Sequence, residues 1–255
     1  MAFDLNNFVI DRIVRGVALS QKDDSVLFSI NQIQNASLNC ASESADAVDA
    51  LGTPIATFYR AKSAEFSAEN ALFDMSLMAT QLGTKKKVAS AAAKLVVPAM
   101  ETFTVAEGGK YELKHSPKVA PTEIYALNGD STFGTKYAKA TAASATEFSI
   151  ADKTISLPTG VTTGTDMFVM YEYETENAVE VVNSATEFPT GCKFVMEVLG
   201  CDVCDQTNLI YAYVIFNNFK LSPDFDWNVA TDGAHPFSGK AQQDLNFRSL
   251  AVKAA

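Results

Sequence analysis

The chain has 255 residues, 47% hydrophobic and 20% charged, enough for one large β domain or two smaller ones with a proper core. Thirty acidic against twenty basic residues leave a net charge of −10. That balance argues against gripping nucleic acid by phosphate neutralisation, and fits a soluble protein or a surface that repels a polyanion.

At the start of the chain, Asp4, Asp11, Arg12 and Arg15 interrupt Met1–Ser20, so no signal-peptide core is present. No window approaches the roughly 18 apolar residues of a membrane span. The expectation is a protein made in a cytoplasm and not exported by that route. Ala2–Asn7 reads as an arm. Arg12–Leu19 and Ser25–Ile30 alternate as two strands around a Gln21-Lys22-Asp23-Asp24 turn, and Ile33–Cys40 is a third extended run. Ala41–Gly52, ASESADAVDALG, has small residues, three carboxylates and little apolar content, and is expected to be a long loop.

Pro54–Glu65 resumes as a strand. Ser67 is then the expected N-cap of a helix over Glu69–Leu82, with Leu72, Met75, Met78 or Ala79, and Leu82 as its core stripe and Gly83 just past its end. Thr84-Lys85-Lys86-Lys87 follows as a solvated basic run. From Ala99 the texture changes. Short extended runs at 102–106, 110–113, 122–127, 135–142, 147–150, 154–157 and 166–175 are separated by turns such as Asn128-Gly129, with breaks at Pro117, Pro121 and Pro158. Seven strands at such close spacing predict a small β-sandwich. Val179–Asn183 and Lys193–Leu199 are expected to return to the main sheet.

The C-terminal stretch Asn208–Phe247, NLIYAYVIFNNFKLSPDFDWNVATDGAHPFSGKAQQDLNF, carries the framework. Leu209–Phe219 is β-branched and aromatic, and Pro223 stops the ladder because it has no N–H to donate. Asp232-Gly233 supplies a turn, and one last strand follows with Phe237, Leu245, Phe247, Leu250 and Val252 as its apolar positions.

Reaction chemistry is missing from this pattern. The two histidines, His115 and His235, are far apart, and His235 before Pro236 suits a loop. No G-x-S-x-G elbow, P-loop, H-E-x-x-H or EF-hand sequence occurs. Glu172 and Glu174 share one strand face and cannot oppose each other across a cleft. No catalytic residue, cofactor site or metal site is therefore assigned. Cys201 and Cys204, in an expected hairpin loop, read as free thiols, with a zinc site or a redox pair as the alternatives.

Two stretches carry a resemblance: Asn208–Phe247, and the strand-then-helix block Phe58–Gly83, FYRAKSAEFSAENALFDMSLMATQLG. Together they resemble bacteriophage major tail tube proteins, a family related in fold to type VI secretion tube proteins. The resemblance implies an all-β fold with one short helix. Its two-sheet core would be residues 1–98 and 176–255, interrupted by an Ig-like β-sandwich at 99–175. It further implies a virion structural subunit of sixfold rings stacked into a tube for DNA ejection. Tape measure protein, tail terminator and, in contractile tails, sheath would be the partners; DNA would pass unbound and no membrane would be involved. The Ala41–Gly52 loop would form the inter-ring contact, with Glu43, Asp46 and Asp49 facing the next ring or the lumen; the alternative is a plain surface loop. Other readings are a capsid decoration or baseplate protein, and a carbohydrate-binding module using Tyr125, Tyr171 and Tyr173, with Trp227 outside the insert.

Overall fold

The computed structural model describes residues 7–203, 205–226, 230–231, 233–242 and 247–253. The expected Ala2–Asn7 arm falls almost entirely outside them, as do Trp227, Asp232 of the expected turn, Leu245 and Cys204. The chain is all-β with one short helix. In order it forms β1 (Phe8–Ser20), β2 (Val26–Ile30), β3 (Ile33–Val48), β4 (Pro54–Asn70), α1 (Met75–Gln81), β5 (Lys87–Val88), β6 (Leu95–Thr104), β7 (Lys110–Glu112) and β8 (Pro117–Val119). There follow β9 (Glu123–Leu127), β10 (Phe133–Lys139), β11 (Glu147–Ala151), β12 (Thr154–Ser156), β13 (Asp166–Thr175) and β14 (Val179–Glu180). The last four are β15 (Cys192–Asp202), β16 (Asp205–Leu221), β17 (His235–Ala241) and β18 (Arg248–Lys253). Two compact units result, one from residues 1–86 and 181–255, the other from 87–180.

In the first unit the strands follow the order β2-β1-β15-β16-β17-β4-β3, with β18 also on β16, and every pairing is antiparallel. The core is a phenylalanine cluster. Phe66 of β4 lies with its ring centroid 5.6–6.3 Å from Phe194, Phe216, Phe219 and Phe237, which come from β15, β16 and β17. These tilted and edge contacts suit ring quadrupoles and pin three strands to β4. Gly239 is required there, because a Cβ on it would lie 2.4 Å from Cζ of Phe219.

Several expected elements fall elsewhere. Ala41–Gly52 is not a loop: β3 runs to Val48, and only the tight Asp49–Thr53 turn separates it from β4. The helix is Met75–Gln81 rather than Glu69–Leu82. Ser67 and Glu69 lie in β4, held in register by Ser37 and Gln34 on one side and Ser238 and Pro236 on the other. The N-cap is Asp74, whose Oδ1 accepts from the N–H groups of Ser76 and Leu77 at 2.9 and 2.7 Å. Leu77 and Ala79 are the buried apolar helix residues, Leu82 beyond the C-terminus is buried too, and Leu72 is exposed. Val179–Glu180 does not return to the main sheet but pairs with β5. The expected last strand is two strands: β17 bridges β16 and β4, and β18 pairs Ile210–Ile215 in the middle of β16. His235 opens β17 and is fully buried, not in a loop.

The second unit contains the seven expected runs plus β8, in the path β6-β13-β9-β10-β11-β12-β7 with β8 on β13. β6 starts at Leu95 and pairs along all of β13. The two ends of the path meet through side chains. Phe103 of β6 stacks on Tyr111 of β7 at 3.7 Å, and the Tyr111 hydroxyl donates to Glu101 at 2.7 Å. The sheet therefore curls round Ile124, Phe148, Ile155, Met167 and Val169, none with any exposed surface.

Candidate functional site

The feature of the first unit that lacks a packing role is the distal half of the β3–β4 hairpin. At its root Leu38 opposes Phe66 and Cys40 opposes Ala64, which is buried. Beyond, from Ala41 to Ser63, every residue is exposed except the half-buried Ala45. Eight residues of β3 extend past the core, about 25 Å at ordinary strand rise. The tip is well made. Asp49 Oδ1 accepts from the Leu51 and Thr53 N–H groups at 2.9 and 2.8 Å, and Gly52 takes a φ of +84° that few side chains allow.

The carboxylates singled out from the sequence occupy this arm but form no cluster. Asp49 builds the turn. Asp46 pairs with Thr57, and Glu43 lies at a register shift between Ser42 and Ser44. Glu43 and Asp46 are three apart on a strand and so point to opposite faces. What sequence reasoning missed is the exposure of the apolar residues: Val48, Leu51, Ile55, Phe58 and Tyr59 are 55%, 92%, 71%, 57% and 75% exposed. A run such as IATFYR ordinarily signals a half-buried strand, and here no layer covers it.

Three polar clusters stiffen the framework, two in the first unit and one in the second. In the first unit Glu197 of β15 accepts from Arg15 Nε at 2.6 Å and from the Tyr213 hydroxyl at 2.8 Å, a ladder across β1, β15 and β16. Burial raises the Glu197 pKa, but these donors outweigh it and hold the carboxyl below its usual range. His235 Nε2 sits 2.8 Å from Gln81 Oε1, and the Asp74 N–H points at Nδ1 from 3.5 Å, so the ring is neutral with its proton on Nε2. Burial keeps its pKa below the usual histidine value. In the second unit Glu101 accepts from Tyr111, Tyr171 and the Lys114 N–H.

The described cysteines come out as individual thiols: Cys40, Cys192 and Cys201 are free. Cys192 is buried and donates to the Phe219 carbonyl, and burial pushes its thiol up to about 12. Cys201 closes β15 beside the hairpin into β16, and among the described residues no group of His, Cys, Asp and Glu is placed to hold a metal ion. The tyrosines proposed for sugar binding do not form one surface. Tyr171 is buried against Glu101, whereas Tyr125 lies on the other face with Phe133 and Phe168.

A search of curated proteins finds nothing similar. The model of the YomU/Tube protein family matches residues 8–253, both units and the arm included. An all-β chain with an unburied hairpin arm, matched over nearly its whole length, belongs to the YomU/Tube protein family, which is consistent with phage tail tube proteins.

Proposed function

We propose that this protein is the major tail tube subunit of a bacteriophage, assembled in the host cytoplasm into stacked hexameric rings that conduct DNA at ejection. The observation that carries the reading is the arm. An isolated two-stranded hairpin is at best marginally stable in water, so a 25 Å arm with five exposed large apolar residues has its working state against another molecule. Among the described residues the outer edge of β3 likewise has no strand partner in the sheet order, and a ring of copies satisfies such edges where a monomer leaves them open. The role is structural rather than catalytic. A net charge of −10 lets DNA pass without being held. Tape measure protein, tail terminator and, around a contractile tail, sheath are the further partners; among the described residues no helix is long and apolar enough to cross a membrane. Glu43 and Asp46 are exposed carboxylates on the arm's two faces, at the ring-to-ring contact or the lumen, and Asp49 shapes its tip.

The test is electron microscopy of the purified protein over a concentration series. Wild-type protein is expected to give rings or hollow tubes. Excising Glu43–Ala61 and joining Ser42 to Lys62 through an Asn-Gly turn preserves the root register and is expected to give a folded protein that forms none. Tubes from the excised protein would refute the role of the arm.

A further inference from the structure

The first unit also holds an open polar cleft of about 540 Å³, lined by β3, β4, β17 and the end of β16. Phe66, Leu221 and Phe237 turn into the phenylalanine cluster, so their neighbours along each strand point away from it. Register aligns those outward residues in two rows that cross all four strands. One row is Ser37, Ser67 and Ser238, continued by Ser222, whose N–H donates to the Ser238 carbonyl at 2.8 Å. The next row is Asn39, Glu65, Lys240 and Lys220. Within it Lys240 Nζ meets the Glu65 carboxylate at 2.7 Å, but on its other side Lys240 stands directly opposite Lys220. Like charges directly opposite on paired strands destabilise a sheet, their Cβ atoms being only about 5 Å apart.

We infer that this cleft binds phosphate through Lys220 and Lys240, with the serine row supplying hydroxyl donors. An anion seated between the two ammonium groups turns their repulsion into two charge-assisted hydrogen bonds. The surrounding lining is rich in donors, namely the four serine hydroxyls and the Asn39 amide. Ser222 Oγ accepts from the Asp224 N–H at 3.2 Å, which leaves its own proton to donate elsewhere. Among the described residues of the lining, Glu65 alone has a side chain that can only accept, and Lys240 already holds it. Donors converging from four strands suit a tetrahedral oxyanion, whose oxygens accept from several directions, better than a planar carboxylate. Free phosphate and a phosphodiester share this chemistry. The inference stands apart from the tube reading, and two lysines on a chain of net charge −10 make a contact too weak to grip DNA.

The test is equilibrium dialysis of the purified protein against radiolabelled inorganic phosphate, at pH 7.5 and a fixed ionic strength of chloride. Wild type is expected to bind with a Kd on the order of 1 mM. Lys220→Gln and Lys240→Gln should each weaken binding by roughly fivefold or more, whereas Lys110→Gln, in the second unit, should not. A lysine that merely supported the fold would lower the melting temperature when replaced. Lys220→Gln in phosphate-free buffer should instead melt no lower than wild type, because it relieves the opposition to Lys240. Acetate at equal concentration should leave the bound phosphate in place. A duplex oligonucleotide that displaces phosphate from wild type assigns the phosphodiester as the natural source, and one that does not assigns the free oxyanion. Absence of phosphate binding by wild type, undiminished binding by both variants, displacement by acetate, or a lower melting temperature of Lys220→Gln would each overturn the inference and leave the tube reading untouched.

Discussion

Replacing Phe66 by alanine tests whether the phenylalanine cluster holds the first unit together. Phe66 is almost fully buried and meets four other rings, at 5.6 Å from Phe194 and 6.3 Å from Phe219 at the extremes. Truncating a buried phenylalanine costs about 3–5 kcal/mol, and losing four ring contacts places this site at the upper end, near 5 kcal/mol. For a body of this size each kcal/mol is worth about 2–4 °C, so a fall of roughly 10–20 °C is expected. Phe66→Leu, which keeps most of the volume, should lose less than half as much. Hydrogen exchange read by mass spectrometry localises the effect. Amides of β15, β16 and β17 should lose protection, while those of β9 and β13, which line the separate core around Ile124 and Met167, should keep theirs. A loss below about 1 kcal/mol, or equal deprotection of β9 and β13, would refute the assignment of Phe66 as the hub.

Three further outcomes follow from buried polar groups. Glu101→Gln leaves one of the Tyr111 and Tyr171 hydroxyls without its carboxylate acceptor, and should destabilise the second unit by about 1–3 kcal/mol in urea titrations. The Glu101 pKa feels burial upward, but hydrogen bonds from Tyr171 and Tyr111 win and lower it below the usual value. Its stabilisation is thus complete above the unfolded pKa of about 4.3 and is lost as pH falls through the folded value; the variant should flatten the acid limb. His235 shifts downward on burial, so its neutral form stabilises fully above the unfolded pKa of about 6.5 and that stability declines below it. Urea midpoints of wild type should drop between pH 7.5 and 5.5, and by less in His235→Gln. Cys192, with its thiol pushed up to about 12, should alkylate roughly a thousandfold more slowly than exposed Cys40 at pH 7.5, and match it in urea; peptide mass mapping after iodoacetamide distinguishes them.

Much of the framework was legible because one-sided burial writes alternation into the sequence. β1, β2, β13 and β15 each have such a face, and their runs are visible by eye. The arm carries no such mark. β3 from Ala41 to Val48 is solvated on both sides, so nothing forces a period of two, and a sequence rich in Ala, Ser and Asp reads as a loop. The helix start was obscured differently: Ser67 and Glu69 have the chemistry of a capped first turn, but pairing with both β3 and β17 keeps them extended until Asn70. Asp74, a better cap in fact, sat inside the expected helix. At the candidate site the carboxylates drew attention because charge is conspicuous, whereas the exposure of Phe58 and Tyr59 depends on a missing layer that no local pattern records. The division of the C-terminal strand was hidden too, since β17 and β18 share one edge of β16 and only the three-dimensional register separates them.

The short β5–β14 pair sets how the second unit is threaded into the chain. Lys87 opposes Glu180 and Val88 opposes Val179, and Lys87 Nζ meets the Glu180 carboxylate at 2.9 Å. Directly paired residues of antiparallel strands lie about 5 Å apart at Cα, so the chain leaves and returns at nearly one point. A span that narrow makes 87–180 a cassette: the host strands need only a few linking residues to close over its removal, and a different domain with adjacent termini can be spliced at the same two positions.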